Sequence, residues 1–152
     1  MSYSFDDLSS DLDVPRETLI RLETYGQLLV KWQKAKNLVS NSTLDDIWRR
    51  HFLDSAQLAP LLRKELGEKP LSMLDIGSGA GFPGLVLAAL DVGTAHMVES
   101  VGRKCVFMRQ VVRETGADAT IHNVRVEEIE PFDIDIITSR ACARVLQLIE
   151  WS

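Results

Sequence analysis

Residues 71–87 read LSMLDIGSGAGFPGLVL, a short apolar run that ends in a glycine-rich segment and continues as a second apolar run. Gly77, Gly79 and Gly81 stand at every second position, and glycine adopts backbone angles that other residues avoid and lets a ligand approach the main chain closely. Pro83 suits the first turn of a helix, where its missing N–H leaves no bond unmade. The segment therefore predicts a strand, a glycine turn and a helix, which together form a ligand-binding arrangement at the carboxyl end of a strand.

The sequence after Pro70 alternates short apolar runs with helical patterns, which indicates βαβ units and a parallel sheet. The expected elements are strands at 71–76, 95–98, 119–123 and 133–138, and helices at 83–90, 103–115 and 143–151. Four strands are few for a doubly wound sheet, and the chain stops within what should be a helix. We therefore expect an α/β fold in which the C-terminal part of the sheet is missing.

Residues 1–69 contain mainly helical patterns, with a break at 37–41, and are interpreted as an N-terminal helical extension packed on a sheet domain at 70–152. The acidic segment 1–13 is either a loose arm or a short helix. Apolar residues at helical spacing predict a helix over 15–36. A capping box at 42–45 begins a second helical region that reaches about residue 66 and is interrupted near His51.

The composition restricts the classes of function. A net charge of −5 argues against a protein that coats nucleic acid generally, although two local segments are basic. The acidic N-terminus is not a secretory signal, and no apolar run approaches the roughly 20 residues that span a bilayer. Cys105 and Cys142 lie far apart in the sequence, so we expect neither a disulfide framework nor a metal site. This cysteine usage also predicts a cytoplasmic protein. The basic residues concerned are Lys31, Lys34, Lys36, Arg49 and Arg50 in one segment, and Arg103, Lys104, Arg109 and Arg113 in the other.

The glycine spacing favours a cofactor without a pyrophosphate. The pattern is G-x-G-x-G rather than the dinucleotide pattern G-x-G-x-x-G. Phe82 and Pro83 are expected to fill the helix entrance that a pyrophosphate would need. Glu99 follows the second predicted strand, 20 residues after Gly79, and a carboxylate at this place can accept both hydroxyls of a ribose. Gly77, Gly79 and Glu99 are therefore candidate cofactor-binding residues.

Several short segments, in order along the chain, carry a resemblance to one family. The chain resembles the bacterial small-subunit (16S) ribosomal RNA guanine-N7 methyltransferases, also called glucose-inhibited division protein B. The matching segments are KWQKAKNL at 31–38, RHFLDS at 50–55, LDIGSGAGFPG at 74–84, ESVGRK at 99–104 with FMRQV at 107–111, RVEE at 125–128 and SRA at 139–141. The departures are Cys142, where phenylalanine is more usual in the family, and Arg144.

The resemblance implies a Rossmann-like fold, S-adenosyl-L-methionine as the cofactor, and 16S ribosomal RNA or the small ribosomal subunit as the partner. It implies cofactor contacts by Gly77 and Phe82 in the first turn, by Val126 and Glu127 after the third strand, and by Arg140 after the fourth. Arg140 could instead guide RNA phosphate. We further expect a monomer that does not associate with a membrane.

Guanine N7 carries a lone pair and no proton, so its methylation requires no general base, and no catalytic residue is named. Cys142 invites the role of a nucleophile, but N7 transfer needs no covalent adduct. His51 has two open interpretations, a contact with the substrate or the cofactor-side surface, and a capping or packed residue. Two other functions stay open: a nicotinamide-dependent oxidoreductase, and a non-catalytic module that binds cofactor or RNA.

Overall fold

A four-stranded parallel sheet forms the centre of the computed structural model, which describes residues 2–36, 38–39, 45–130 and 132–139. The strands are β1 (Leu71–Ile76), β2 (Gly93–Val98), β3 (Ala119–His122) and β4 (Ile136–Ser139), in the order β3-β2-β1-β4. Every pair of neighbours is parallel, so all four carboxyl ends lie at one edge. The predicted α/β fold with a parallel sheet is confirmed.

The fourth strand starts three residues later than the sequence predicts. Pairing between β1 and β4 begins at Met73 and Ile136. The preceding residue, Asp135, contacts β1 through both its backbone and its side chain. The Asp135 amide donates to the Ser72 carbonyl oxygen at 2.8 Å, and the Asp135 carboxylate accepts from the Ser72 amide at 2.8 Å. Because this side chain replaces a backbone acceptor, regular strand pairing starts only at the next residue.

The helices largely follow the predicted boundaries. They are α1 (Phe5–Asp11), α2 (Arg16–Lys36), a π-helix (Trp48–Leu53), α3 (Asp54–Ala56), α4 (Leu58–Leu66), α5 (Gly84–Ala89), α6 (Gly102–Thr115) and a 3-10 turn (Val126–Glu128). The interruption predicted near His51 is the π-helix. The predicted capping box at 42–45 and helix at 143–151 lie wholly or mostly outside the described residues. Within the described part of the chain, no helix is both long and apolar enough to cross a bilayer.

The two faces of the sheet are covered differently. Met73, Ala95 and Met97 face the larger apolar core, which includes residues of α2, α5 and α6. Leu74 and Val98 face the opposite side, where the segment after β3 packs on them. The helical extension therefore shares its core with one face of the sheet, and the division at residue 70 stays a prediction.

Two histidines lie side by side on β2 and β3. His96 Nδ1 is 3.2 Å from His122 Nε2, and the Phe132 ring centroid lies 4.5 Å from that of His96. Burial lowers the pKa of His96, against an opposing effect of Asp118. Burial lowers the pKa of His122 as well, and the neighbouring His96 adds to this. Both imidazoles therefore bind protons less readily in the folded protein than in the unfolded chain.

We expect this pair to make the protein less stable in mild acid. The contribution of the pair is fully present above the pKa of an unfolded histidine, about 6.5, and is lost as the pH falls through the lower folded values. Urea unfolding measured between pH 7.5 and pH 5.5 should show a falling free energy of unfolding. The double variant His96→Gln, His122→Gln should show a smaller fall, and an equal fall in both proteins would contradict the assignment.

Candidate functional site

The glycine turn follows β1 directly and is held by backbone bonds to β2. The amides of Gly77 and Ser78 donate to the Val98 carbonyl oxygen at 2.9 and 3.2 Å, and the Ser78 hydroxyl donates to the Asp75 carbonyl oxygen at 3.0 Å. Gly77 and Gly79 have φ angles of 65° and 59°, in the left-handed region where side chains are disfavoured. The backbone conformation at both positions therefore favours glycine, as the sequence predicts.

Glu99, at the end of β2, is joined to the glycine turn by a direct hydrogen bond. Its side chain is buried, with Oε1 accepting from the Gly79 amide and Oε2 accepting from the Val101 amide, both at 2.8 Å. An ionised carboxylate has about four acceptor positions, so each oxygen can still accept one more hydrogen bond. Glu99 therefore holds the turn in place and keeps acceptor capacity for a diol.

A cleft of about 250 Å³ opens at the carboxyl ends of β1 and β2, beside the segment that follows β3. Four predicted cofactor residues line it: Gly77, Glu99, Val126 and Glu127. The rest of the lining consists of Ile76, Val98, Ser100, Val124 and Arg125. Aliphatic side chains together with the carboxylates of Glu99 and Glu127 suit a flat aromatic base attached to a sugar.

Phe82 does not line this cleft. The ring is buried against the helical extension, with centroid distances of 5.1 Å to Tyr25, 4.9 Å to His51 and 5.1 Å to Phe52. The side chain therefore belongs to an aromatic cluster, and a cofactor contact at this position would involve the backbone. That contact stays a prediction.

The entrance of α5 is occupied by Asp75, a residue that the sequence interpretation missed. This carboxylate is fully buried, and its Oδ2 accepts from the Gly84 amide at 2.9 Å and from the Thr138 hydroxyl at 2.8 Å. A negative charge here is favoured by the helix N-terminus and takes an amide that a phosphate would otherwise use. The one available signal was an acid inside a strand of mostly apolar residues.

Tyr25 connects the helical extension to the glycine turn. Its hydroxyl donates to the Ala80 carbonyl oxygen at 2.6 Å, and the residue is fully buried. A Cβ atom at Gly81 would lie 2.5 Å from the same hydroxyl, so the contact also requires glycine there. The conformation of the turn thus depends on a helix that lies 55 residues earlier in the chain.

We expect Tyr25→Phe to destabilise the protein by about 1–3 kcal/mol, because the substitution leaves the buried Ala80 carbonyl without its hydroxyl donor. The matched control is Tyr3→Phe, which removes an exposed hydrogen bond to Asp11 and should change stability by less than about 0.5 kcal/mol. Urea unfolding of both variants measures the difference. Equal stability of the two variants would show that the buried bond does not stabilise the turn.

The cleft does not test three further predictions. Arg140 and Cys142 lie outside the described residues, which end at Ser139, the last residue of β4. The two basic segments lie on elements that include α2 and α6, which pack together through Trp32 and Phe107, with ring centroids 5.7 Å apart. The exposed cations on these two helices are Lys31, Lys34, Arg103, Arg109 and Arg113.

Comparison with known proteins gives a family match over most of the chain. Residues 18–152 match the family model GidB, described as rRNA small subunit methyltransferase G. A ribosomal RNA small subunit methyltransferase G from Paramagnetospirillum magneticum is 47% identical over 147 residues, covering 97% of this chain and 70% of the relative. The protein of the same name from Rhodospirillum centenum is 50% identical over 148 residues, covering 97% and 67%.

Solved structures share the fold at low sequence identity. A putative S-adenosyl-L-methionine-dependent methyltransferase from Methanococcus maripaludis matches with a TM-score of 0.56 and 18% identity, covering 69% of this chain and 52% of that one. A mutant of MtNAS in complex with S-adenosylmethionine matches with a TM-score of 0.55 and 18% identity, covering 93% and 59%. These likenesses confirm the fold.

Proposed function

Because this chain belongs to the GidB family, the rRNA small subunit methyltransferases G, we propose that it methylates N7 of a guanine in 16S ribosomal RNA with S-adenosyl-L-methionine as the methyl donor. The observation that carries the proposal is the cleft, where Gly77, Glu99, Val126 and Glu127 meet at one edge of the sheet. The enzyme class follows from the family, and the cleft supplies a place for the reaction.

The residues of the cleft fit this methyl donor. The aliphatic side chains of Val98 and Val126 can flank the adenine, and the Glu99 carboxylate has acceptor positions for the two ribose hydroxyls. The backbone of Gly77 is exposed and permits a close approach. When bound, the cofactor supplies a methyl group on a positively charged sulfur. The proposed binding residues are Gly77, Gly79, Phe82, Glu99, Val126, Glu127 and Arg140.

The protein's contribution to the chemistry is alignment. Guanine N7 carries a lone pair and no proton, so the residues of the cleft would have to hold the methyl donor in line with N7, and no general base would be needed. Holding the two reactants in line can lower the barrier by up to roughly 7–11 kcal/mol. The deep, narrow major groove of an A-form helix hides N7, so the substrate base has to be in an exposed loop or extruded from its stack.

The oxidoreductase alternative is disfavoured by Asp75. Its carboxylate occupies the Gly84 amide at the start of α5, next to the turn where a dinucleotide would place its pyrophosphate. A titration with S-adenosyl-L-methionine and with a nicotinamide dinucleotide would distinguish the two. We also propose that the protein acts as a monomer in the cytoplasm, which sedimentation and cell fractionation would test.

Mass spectrometry of 16S ribosomal RNA tests the function. RNA from cells that lack the protein should have lost one 7-methylguanine, and the methyl group should return when the full-length protein is added to their small subunits with S-adenosyl-L-methionine. An unchanged content of 7-methylguanine would contradict the assigned reaction. Loss of a different methylated nucleotide would preserve the enzyme class and contradict the N7 position.

A further inference from the structure

The π-helix Trp48–Leu53 has one face in the core and one towards solvent. Phe52 is fully buried against Tyr25 and Phe82, whereas His51 is half-buried and Arg49 and Arg50 are exposed. A π-helix inserts an extra residue into a helical turn, and such insertions are frequent at functional sites. This insertion anchors the turn through Phe52 and leaves the imidazole beside it partly accessible.

His51 lies beside Phe82, the residue that follows the glycine turn after β1. Its ring stacks on Phe82, with centroids 4.9 Å apart and planes at 26°. Phe82 directly follows Gly81 in the turn whose first glycine, Gly77, lines the cleft. Since His51 is not among the residues that line the cleft, it lies beside the same turn without occupying the proposed place of the adenosine.

The surroundings of His51 suit a polyanion. Arg49 and Arg50 precede it directly in the chain and are exposed. Arg49 Cζ lies 5.1 Å from the centroid of the Tyr3 ring, and Arg50 Nε is 3.8 Å from Asp46 in a partly exposed ion pair. Such pairs are weak in water and are readily replaced by phosphate. One helical turn therefore carries two exposed arginines that can contact phosphates and a stacked imidazole that can meet a base.

The chemistry of N7 methylation limits how the guanine can be held. The usual readout of guanine is an arginine fork that binds O6 and N7 together, and that fork would engage the lone pair that must attack the methyl group. A neutral imidazole offers a single N–H donor. One such bond to O6 would fix the orientation of the base and leave N7 open.

We propose that His51, stacked on Phe82, contacts the target guanine and donates one hydrogen bond to its O6, while Arg49 and Arg50 hold the neighbouring phosphates. The inference rests on the proposed function and adds a residue for substrate recognition. His51 takes no proton in this role, in agreement with a reaction that needs no base.

Three variants of the full-length protein separate base contact from packing. His51→Phe keeps an aromatic ring on Phe82 and removes the N–H donor. His51→Gln removes the ring and keeps an N–H donor on its side-chain amide, and His51→Ala removes the ring and the donor. With small subunits that lack the methyl group as substrate, we expect kcat/KM to fall roughly 10- to 100-fold for Phe and Ala. Gln should retain clearly more activity than Phe. Affinity for S-adenosyl-L-methionine, measured by calorimetry, should stay within about twofold for Phe and Gln.

The control is His122→Phe, which changes a half-buried histidine on β3 and should keep wild-type kcat/KM. Wild-type kcat/KM in His51→Phe would overturn the proposal, because packing alone would then explain the residue. A matching loss of cofactor affinity in His51→Phe, or a Gln variant no better than Phe, would also overturn it.

Binding of small subunits, titrated without methyl transfer, keeps this test independent of the reaction assigned above. We expect His51→Phe to bind several-fold more weakly than the wild type. Wild-type protein that binds subunits but methylates no guanine N7 contradicts the proposed function alone. Equal subunit affinity of wild type and His51→Phe contradicts the His51 contact alone, and a wild type that binds no subunits contradicts both.

Discussion

Replacing Gly77 with valine should weaken binding of S-adenosyl-L-methionine by at least about 100-fold. The φ angle of Gly77 is 65°, a region that is a genuine outlier for a β-branched residue. The backbone would have to change at a glycine that lines the cleft, and the added side chain would hinder the close approach of a ligand. Calorimetry with the full-length protein measures the affinity.

Gly67→Val is the matched control for backbone strain. Gly67 has a φ of 85° at the end of α4, and a Cβ atom there would meet no other atom within 4 Å. We expect this variant to lose stability and to bind the cofactor as the wild type does. Wild-type affinity in Gly77→Val would show that the turn does not contact the cofactor.

Replacing Glu99 should have the second-largest effect. Glu99→Ala removes the acceptor of the Gly79 and Val101 amides and the proposed ribose contact. Hydrogen bonds to a charged group contribute about 1.5–3 kcal/mol each, so we expect cofactor affinity to fall about 100-fold. Glu99→Gln should lie between alanine and the wild type, because its amide nitrogen would face a backbone N–H that needs an acceptor.

Glu114→Gln is the control for removal of a carboxylate. Glu114 is exposed on α6 and is bonded only weakly, by Gln110 at 3.4 Å. Its substitution should leave calorimetric affinity unchanged. If Glu99→Ala also bound the cofactor normally, the assignment of the ribose site would be wrong, and Glu99 would serve the glycine turn alone.

Local patterns in the sequence were sufficient for the strand, the turn and the place of Glu99 at the end of β2, whereas its hydrogen bond to the Gly79 amide was not predicted. The boundaries of β1 were predicted to the residue, because the apolar run ends abruptly in glycine. The position of Glu99 followed from the spacing of two strands that lie side by side. The start of β4 was predicted less well, because Asp135 takes part through its side chain.

The sequence by itself determined the parallel α/β fold, the left-handed turn and the edge of the sheet that carries the candidate site. These features depend on local periodicity and on the backbone freedom of glycine, both of which are properties of neighbouring residues. Only the tertiary structure placed Asp75 at the entrance of α5, turned Phe82 into the aromatic cluster and brought Tyr25 to the turn. The contacts of Tyr25 and Phe82 form only when the helical extension covers one face of the sheet, and the contact of Asp75 forms only when β1 and α5 pack together. Local sequence patterns do not specify such contacts, because the residues involved are not neighbours in a single helix or strand.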